Sequence, residues 1–188
     1  MNKQIDISNI VLTTERLILR PWRLEDLDDF FEYAKVDGVG QMAGWLPHED
    51  KDTSLRILTS FIEGKKTFAL ERNGKVIGSL GIEKYKETHA PEYDTLQGRE
   101  IGYVLSKDHW GQGLMPEAVR EVIRYLFEEE HLDVIFCGFF KRNIQSARVQ
   151  EKCGFRFYKN VIHETRYGTF EDTCMNILER KDWELSKK

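Results

Sequence analysis

The chain is short of the residues that build cross-links, linkers and membrane spans. It has 3 cysteines in 188 residues, Cys137, Cys153 and Cys174, an odd number with no C-x-x-C pair. That pattern provides neither a disulfide frame nor a zinc site, and a reduced, cytoplasmic setting is the simplest expectation. His48, His89, His109, His131 and His163 show no H-x-x-x-H spacing, so no metal is expected. With 4 prolines and no Pro/Gly/Ser-rich stretch, repeat or low-complexity tract, a single domain over residues 1–188 is predicted. No apolar run approaches the ~18 residues of a membrane span. The opening Met1–Asp6 lacks the apolar core of a signal peptide. Neither sign of charge dominates: 28 Lys and Arg against 32 Asp and Glu give a net charge of −4. That balance argues against nucleic-acid or membrane-surface binding, yet leaves room for a local basic patch on a small anion.

What is present is strongly periodic. Arg16–Arg20 reads as a strand stopped at Pro21. Leu24, Leu27, Phe30, Phe31 and Ala34 then recur at helical spacing, with acids in the first turn. A second helix carries Leu55, Leu58, Phe61 and Ile62, capped by Thr53 or Ser54 and ending near Gly64. Thr67–Arg72 and Lys75–Tyr85 flank Asn73-Gly74, a hairpin signal because both residues accept positive φ. Polar loop 86–98 precedes a strand over Arg99–Leu105. A long helix follows, with Met115, Val119, Val122, Ile123, Leu126 and Phe127 on one face. Val134–Phe140 is a strand apolar on both faces, Ile144–Lys152 a short helix before Gly154, and Phe155–His163 and Phe170–Leu178 are final strands. The order β-α-α-β-β-β-α-β-α-β-β predicts an α/β (α+β) fold: a mixed, mostly antiparallel sheet with helices on both faces.

The segment that carries chemistry is His109-Trp110-Gly111-Gln112-Gly113, where a strand gives way to a helix. A helix start presents unpaired N–H groups and the positive end of the macrodipole. Glycines ahead of it let those N–H groups wrap an anion, so phosphate or pyrophosphate binding by main chain is one reading and a tight strand–helix turn the other. There is no third glycine in a dinucleotide fingerprint and no Gly-Lys-Ser/Thr of a P-loop.

The run Arg99-Glu100-Ile101-Gly102-Tyr103-Val104-Leu105, followed by His109 to Ala118, resembles the acetyl-CoA motif of the GNAT superfamily of N-acetyltransferases. It most resembles the branch of ribosomal-protein N-terminal acetyltransferases. Thr14–Pro21 is similar to that branch's opening strand, and Asn143-Ile144-Gln145-Ser146 with Cys153-Gly154-Phe155 to its N-x-x-S…G-F element. The resemblance spans about residues 12–183 and implies a sheet splayed at its centre, after the strand ending at Leu105. It implies that acetyl-CoA is the cosubstrate, its pantetheine alongside the backbone of Tyr103, Val104 and Leu105. The pyrophosphate would lie on the turn Trp110, Gly111, Gln112, Gly113, Leu114 and Met115. The chain departs from the family in having Met115 for a small residue and Pro116 where a hydroxyl residue is frequent.

Acetyl transfer needs a neutral amine and a proton for the leaving thiolate, with no covalent intermediate, so the cysteines need no role. Two glutamates are candidate bases. Glu100 lies in the strand leading to the turn; Glu164 matches, across a one-residue gap, a glutamate proposed as base in the ribosomal branch. The resemblance assigns Ser146 to the thiolate and makes Asn143 a pantetheine ligand. Lys141, Arg142, Arg148 and Lys152 form a basic cluster that could meet the CoA 3′-phosphate, and Tyr33 and Trp45 could line an acceptor pocket. The expected acceptor is a protein N-terminal α-amine. The alternatives are a small-molecule or antibiotic amine, and a non-catalytic acyl-CoA sensor. An open sheet edge and the terminal hairpin leave room for a homodimer.

Overall fold

The computed structural model describes residues 1–187. One sheet of eight strands runs in the order β1-β2-β3-β4-β5-β6-β8-β7. Its strands are β1 (Leu12–Thr13), β2 (Ile18–Pro21), β3 (Thr67–Arg72), β4 (Lys75–Glu83), β5 (Gly98–Leu105), β6 (Val134–Phe140), β7 (Arg156–Glu164) and β8 (Phe170–Glu179). Its helices are α1 (Leu27–Ala34), α2 (Lys51–Gly64), α3 (Leu114–Glu128), α4 (Ile144–Lys152) and α5 (Arg180–Leu185). All neighbouring pairs are antiparallel except β5 with β6. No helix among the described residues is long and apolar enough to cross a membrane.

The elements sit where periodicity puts them, with differences at the ends. The N-cap of α2 is Asp50, not Thr53 or Ser54: its carboxylate accepts from the Thr53 N–H at 2.7 Å. The helix therefore begins a turn earlier than its apolar face suggests, because capping lies outside the apolar repeat. Asn73 and Gly74 adopt φ of 53° and 78°, the pair of left-handed residues a tight hairpin requires. Loop 86–98 contains two short 3₁₀ turns, Glu87–His89 and Pro91–Tyr93. Two further elements, β1 and α5, carried no strong pattern. The first residues are also tied down, since Ile5 and Ile7 are buried beside α3 and Asn2 bridges Gly98.

Two layers of core cover the sheet. On one face, Ile101 and Leu105 of β5 pack with Leu114, Val119, Val122 and Leu126 of α3 and with Cys137 of β6. On the other, Phe30, Tyr33 and Ala34 of α1 and Leu58 of α2 pack over Ala69 and Val76, with Val104 against them. A buried ion pair joins this second layer to the sheet. Arg20 holds Asp26 in a fork at 2.8 and 2.9 Å and reaches Glu71 at 2.6 Å, while Asp26 also accepts from the Arg23 N–H. Both side chains of the fork are 8% exposed, so neither charge has water to fall back on. Asp26→Ala leaves the guanidinium half-partnered in the interior and is expected to cost about 3–5 kcal/mol in urea unfolding, with the denaturant slope unchanged.

Candidate active site

Strands β5 and β6 pair in parallel only over Gly98–Glu100 with Val134–Phe136. Beyond that point β5 stays paired with β4 as far as Leu105, and β6 with β8 as far as Phe140. The two halves of the sheet therefore part, and the edge of β5 from Ile101 onward faces an opening instead of a strand. A cavity of about 510 Å³ fills the gap, lined by Glu100 to Leu105, the 110–116 turn, α4 and the inner side of β6, β7 and β8.

At one end of the cleft lies the glycine turn. Gly111 and Gly113 have φ of 75° and 76°, a conformation costly for any residue with a Cβ. Gly113 caps α3, and the N–H groups of Gly111, Gln112, Gly113, Leu114 and Met115 have no partner among the described residues. Trp110 closes the strand end: its indole N–H donates to the Leu105 carbonyl at 2.8 Å. Arg16 donates to the Gln112 carbonyl at 2.9 Å and is forked onto Glu117, and Arg72 donates to Gln112 Oε1 at 2.9 Å. The Gln112 side chain is thus a brace on the outside of the turn and does not line the cavity, so only its N–H can face an anion.

Met115 and Pro116 fit this arrangement without disrupting it. Met115 is 5% exposed and packs in the α3 core, leaving only its N–H to the turn. Pro116 is the third helical residue, where an N–H has no intrahelical acceptor, so proline removes one anion donor and no helical bond. Arg148, Lys152 and His109 also line the cavity. Of the other cluster cations, Arg142 turns away to Glu171 and the Gln41 carbonyl, and Lys141 is exposed outside the cavity.

The middle of the cleft holds two sets of polar groups on opposite faces of the sheet. Alternation along β5 places Glu100 with Gly102 and Val104, and Tyr103 with Ile101 and Leu105. The Glu100 carboxyl has no hydrogen-bond partner among the described residues, and burial, with Glu83 directly across in register, pushes its pKa up to about 7. On the other face the Tyr103 hydroxyl lies 3.0 Å from Ser146 Oγ. Asn143 is the N-cap of α4: its Oδ1 accepts from the Ser146 N–H at 3.1 Å, and its Nδ2 faces the Met42 carbonyl.

Several sequence expectations land elsewhere. Glu164 ends β7 exposed, on the face opposite Val161 and His163, which do line the cavity. A one-residue step along a strand reverses the side-chain direction, so it stands away from Glu100 and Ser146. Tyr33 is 2% exposed within the α1–α2 core, and Trp45 packs on Gly40 and His48; Val39, Met42 and Ala43 line the cleft in their place. Gln150 and Asn176, which bond one another beneath Ser146, carried no sequence signal, because their pairing joins α4 to a strand that arrives 26 residues later.

The domain model described as an acetyltransferase (GNAT) domain matches residues 16–156. The chain is 30% identical to the uncharacterized N-acetyltransferase p20 of Bacillus licheniformis, over 77% of this chain and 82% of that one. The chain belongs to the GNAT acetyltransferase family. Solved structures share the GNAT fold. A Bacillus anthracis GNAT acetyltransferase superposes with TM-score 0.79 at 21% identity, over 92% of this chain and 99% of its own. The ribosomal-protein-S5-alanine acetyltransferase of Vibrio fischeri does so with TM-score 0.69 at 20% identity, over 93% and 99%. The microcin C7 self-immunity acetyltransferase MccE, in complex with acetyl-CoA and AMP, gives 0.73 at 14%, over 88% and 93%. Members of this family use acetyl-CoA as the acetyl donor, and MccE was solved with it bound.

Two measurements follow from this geometry. Gly111→Ala meets no neighbour within 4 Å but must hold φ near 75°; it is expected to weaken acetyl-CoA binding about tenfold by calorimetry while costing only about 1–2 kcal/mol of stability. Glu100→Gln removes a carboxylate that burial disfavours. Because the folded pKa of about 7 exceeds the ordinary 4.5, wild-type stability falls as pH rises between those values. The variant should gain on the order of 1–3 kcal/mol over that window and nothing below it, as read by chemical unfolding at a series of pH values.

Proposed function

We propose that this GNAT enzyme acetylates an α-amine at a protein N-terminus, with Glu100 as the general base and Ser146 as hydrogen-bond donor to the departing thiolate. Glu100 carries the reading: it is the one carboxylate among the residues lining the cleft. Around it the acceptor side is largely apolar, with Val39, Met42, Ala43, Phe140, Val161 and Met175. A polyamine or aminoglycoside brings several ammonium groups and calls for several carboxylates; a single amine on an apolar neighbour calls for one.

Proton affinities point the same way. An α-ammonium of pKa about 7.8 gives its proton to a carboxylate near 7 at a cost of about 1 kcal/mol, whereas a lysine at about 10.4 costs nearly 5 kcal/mol. Glu100 is therefore matched to an α-amine. The two chemical tasks fall on opposite faces of the sheet: Glu100 meets the amine from the α1–α2 side, and Ser146 meets the sulfur from the α3–α4 side. When acetyl-CoA is bound it supplies the activated acyl group; the protein orients it and exchanges the protons. Cys153, raised to about 11 by burial, and Cys137, raised further, stay protonated and take no part. Unpaired thiols of this kind suit the cytoplasm.

The test is CoA-thiol release with peptides beginning in alanine, serine or methionine, set against an Nα-blocked lysine peptide, spermidine and kanamycin. An α-amine peptide should be preferred by at least about tenfold, and faster turnover of spermidine or kanamycin would refute the acceptor. Glu100→Gln should lower kcat by about 10²-fold and abolish the limb in which rate falls below about pH 7, while Glu164→Gln leaves both unchanged.

A further inference from the structure

Beneath Ser146 lies a chain of polar side chains that the acetyl-transfer chemistry above does not use. Asn176 of β8 donates through Nδ2 to Gln150 Oε1 at 2.9 Å. Gln150 is fully buried, at 0% exposure, and its Nε2 faces two oxygens, the Gly138 carbonyl at 3.3 Å and Ser146 Oγ at 3.4 Å. A backbone carbonyl can only accept, so the Gln150 amide has one tolerable orientation, and Asn176 supplies the donor its oxygen then requires. The direction of hydrogen bonding along the chain is thereby set, from Asn176 through Gln150 to Ser146.

A serine hydroxyl has two acceptor positions and one proton. Tyr103 Oη lies 3.0 Å from Ser146 Oγ and 3.3 Å from the Ser146 carbonyl; in the arrangement in which both Gln150 and Tyr103 donate to Ser146 Oγ, the Ser146 proton is left for the cleft that Ser146 lines. Donors feeding an oxygen also strengthen the bond that its own proton makes.

We infer that Gln150, locked by Asn176 and the Gly138 carbonyl, is a positioning residue that aims the Ser146 hydroxyl proton at the sulfur of CoA. The inference rests on the role given to Ser146 above and adds the device that orients it. Its consequence appears on the product side without any acceptor: a proton aimed at the sulfur stabilises the thiolate of bound CoA and lowers its pKa.

The experiment titrates CoA bound to the full chain and follows the ultraviolet absorbance of the thiolate against pH. Ser146→Ala should raise the bound-thiol pKa by about one pH unit, a tenfold loss of thiolate. Gln150→Leu should raise it equally, and the double variant should move it no further, with the affinity for CoA in its thiol form, measured well below the thiol pKa, held within about twofold. Asn176→Asp keeps size and shape but, once ionised, cannot donate to Gln150, and it should reproduce the shift even if Gln150→Leu folds poorly. A shift in Ser146→Ala that is absent from both Gln150→Leu and Asn176→Asp overturns the positioning role alone, as does an additive double variant. If Ser146→Ala itself leaves the thiol unmoved, the role of Ser146 falls, and the inference with it.

Discussion

Three register pairs hold β5 to β6, and the functional end of the molecule depends on their stopping there. Past Glu100 the two strands keep their outer partners and lose each other, which leaves peptide groups of β5 facing a buried gap. Unsatisfied peptide groups are costly in a protein interior, so a split sheet is stable only if something else meets its edge or water reaches it. The same divergence opens the path to the start of α3, where five more N–H groups lack partners among the described residues. One interruption of the ladder thus leaves both an unpaired strand edge and a set of unpartnered N–H groups at a helix start.

What keeps the split from closing is packing around it. Trp110 ties off the end of β5 through the Leu105 carbonyl and sits between the two core layers. Arg16, Arg72 and Glu117 hold the turn by gripping Gln112 and the first turn of α3 from outside. On the β6 side, α4 and loop 40–43 are joined through Asn143 and Arg142, which reach the Met42 and Gln41 carbonyls. A glutamate that relieves its burial by staying protonated below about pH 7 then occupies the fork itself.

Because side chains alternate along β5, the fork also separates two sets of polar groups. Glu100 and Tyr103 are three residues apart and face opposite sides, so a carboxyl and a hydroxyl network flank the cleft without neutralising one another. Moving either by one residue would place both on the same side. The spacing within Glu100-Ile101-Gly102-Tyr103 therefore decides which face of the cleft carries the carboxyl and which the hydroxyl pair.

Much of this was legible in the residues. Periods of 3.6 and 2 located α3, the β3–β4 hairpin and β6 almost to the residue, since each buries an apolar face that leaves a strong pattern. The Trp110-Gly111-Gln112-Gly113 turn was legible as a glycine turn, since glycine takes φ of 75° and 76° without steric cost. Short elements such as β1 and α5, and the N-cap at Asp50, left too little pattern to read.

By itself the sequence determined the family, the order of elements, the glycine turn and a short set of carboxylates and hydroxyls, all encoded in local spacing. Only the tertiary structure decided among them. It separated Glu100 from Glu164, because strand direction and register, not residue type, determine which carboxylate enters the cleft. It turned Gln112 outward, gave Asn143 a capping role, and joined Gln150 and Asn176 to Ser146 across elements that are neighbours only once the sheet has formed.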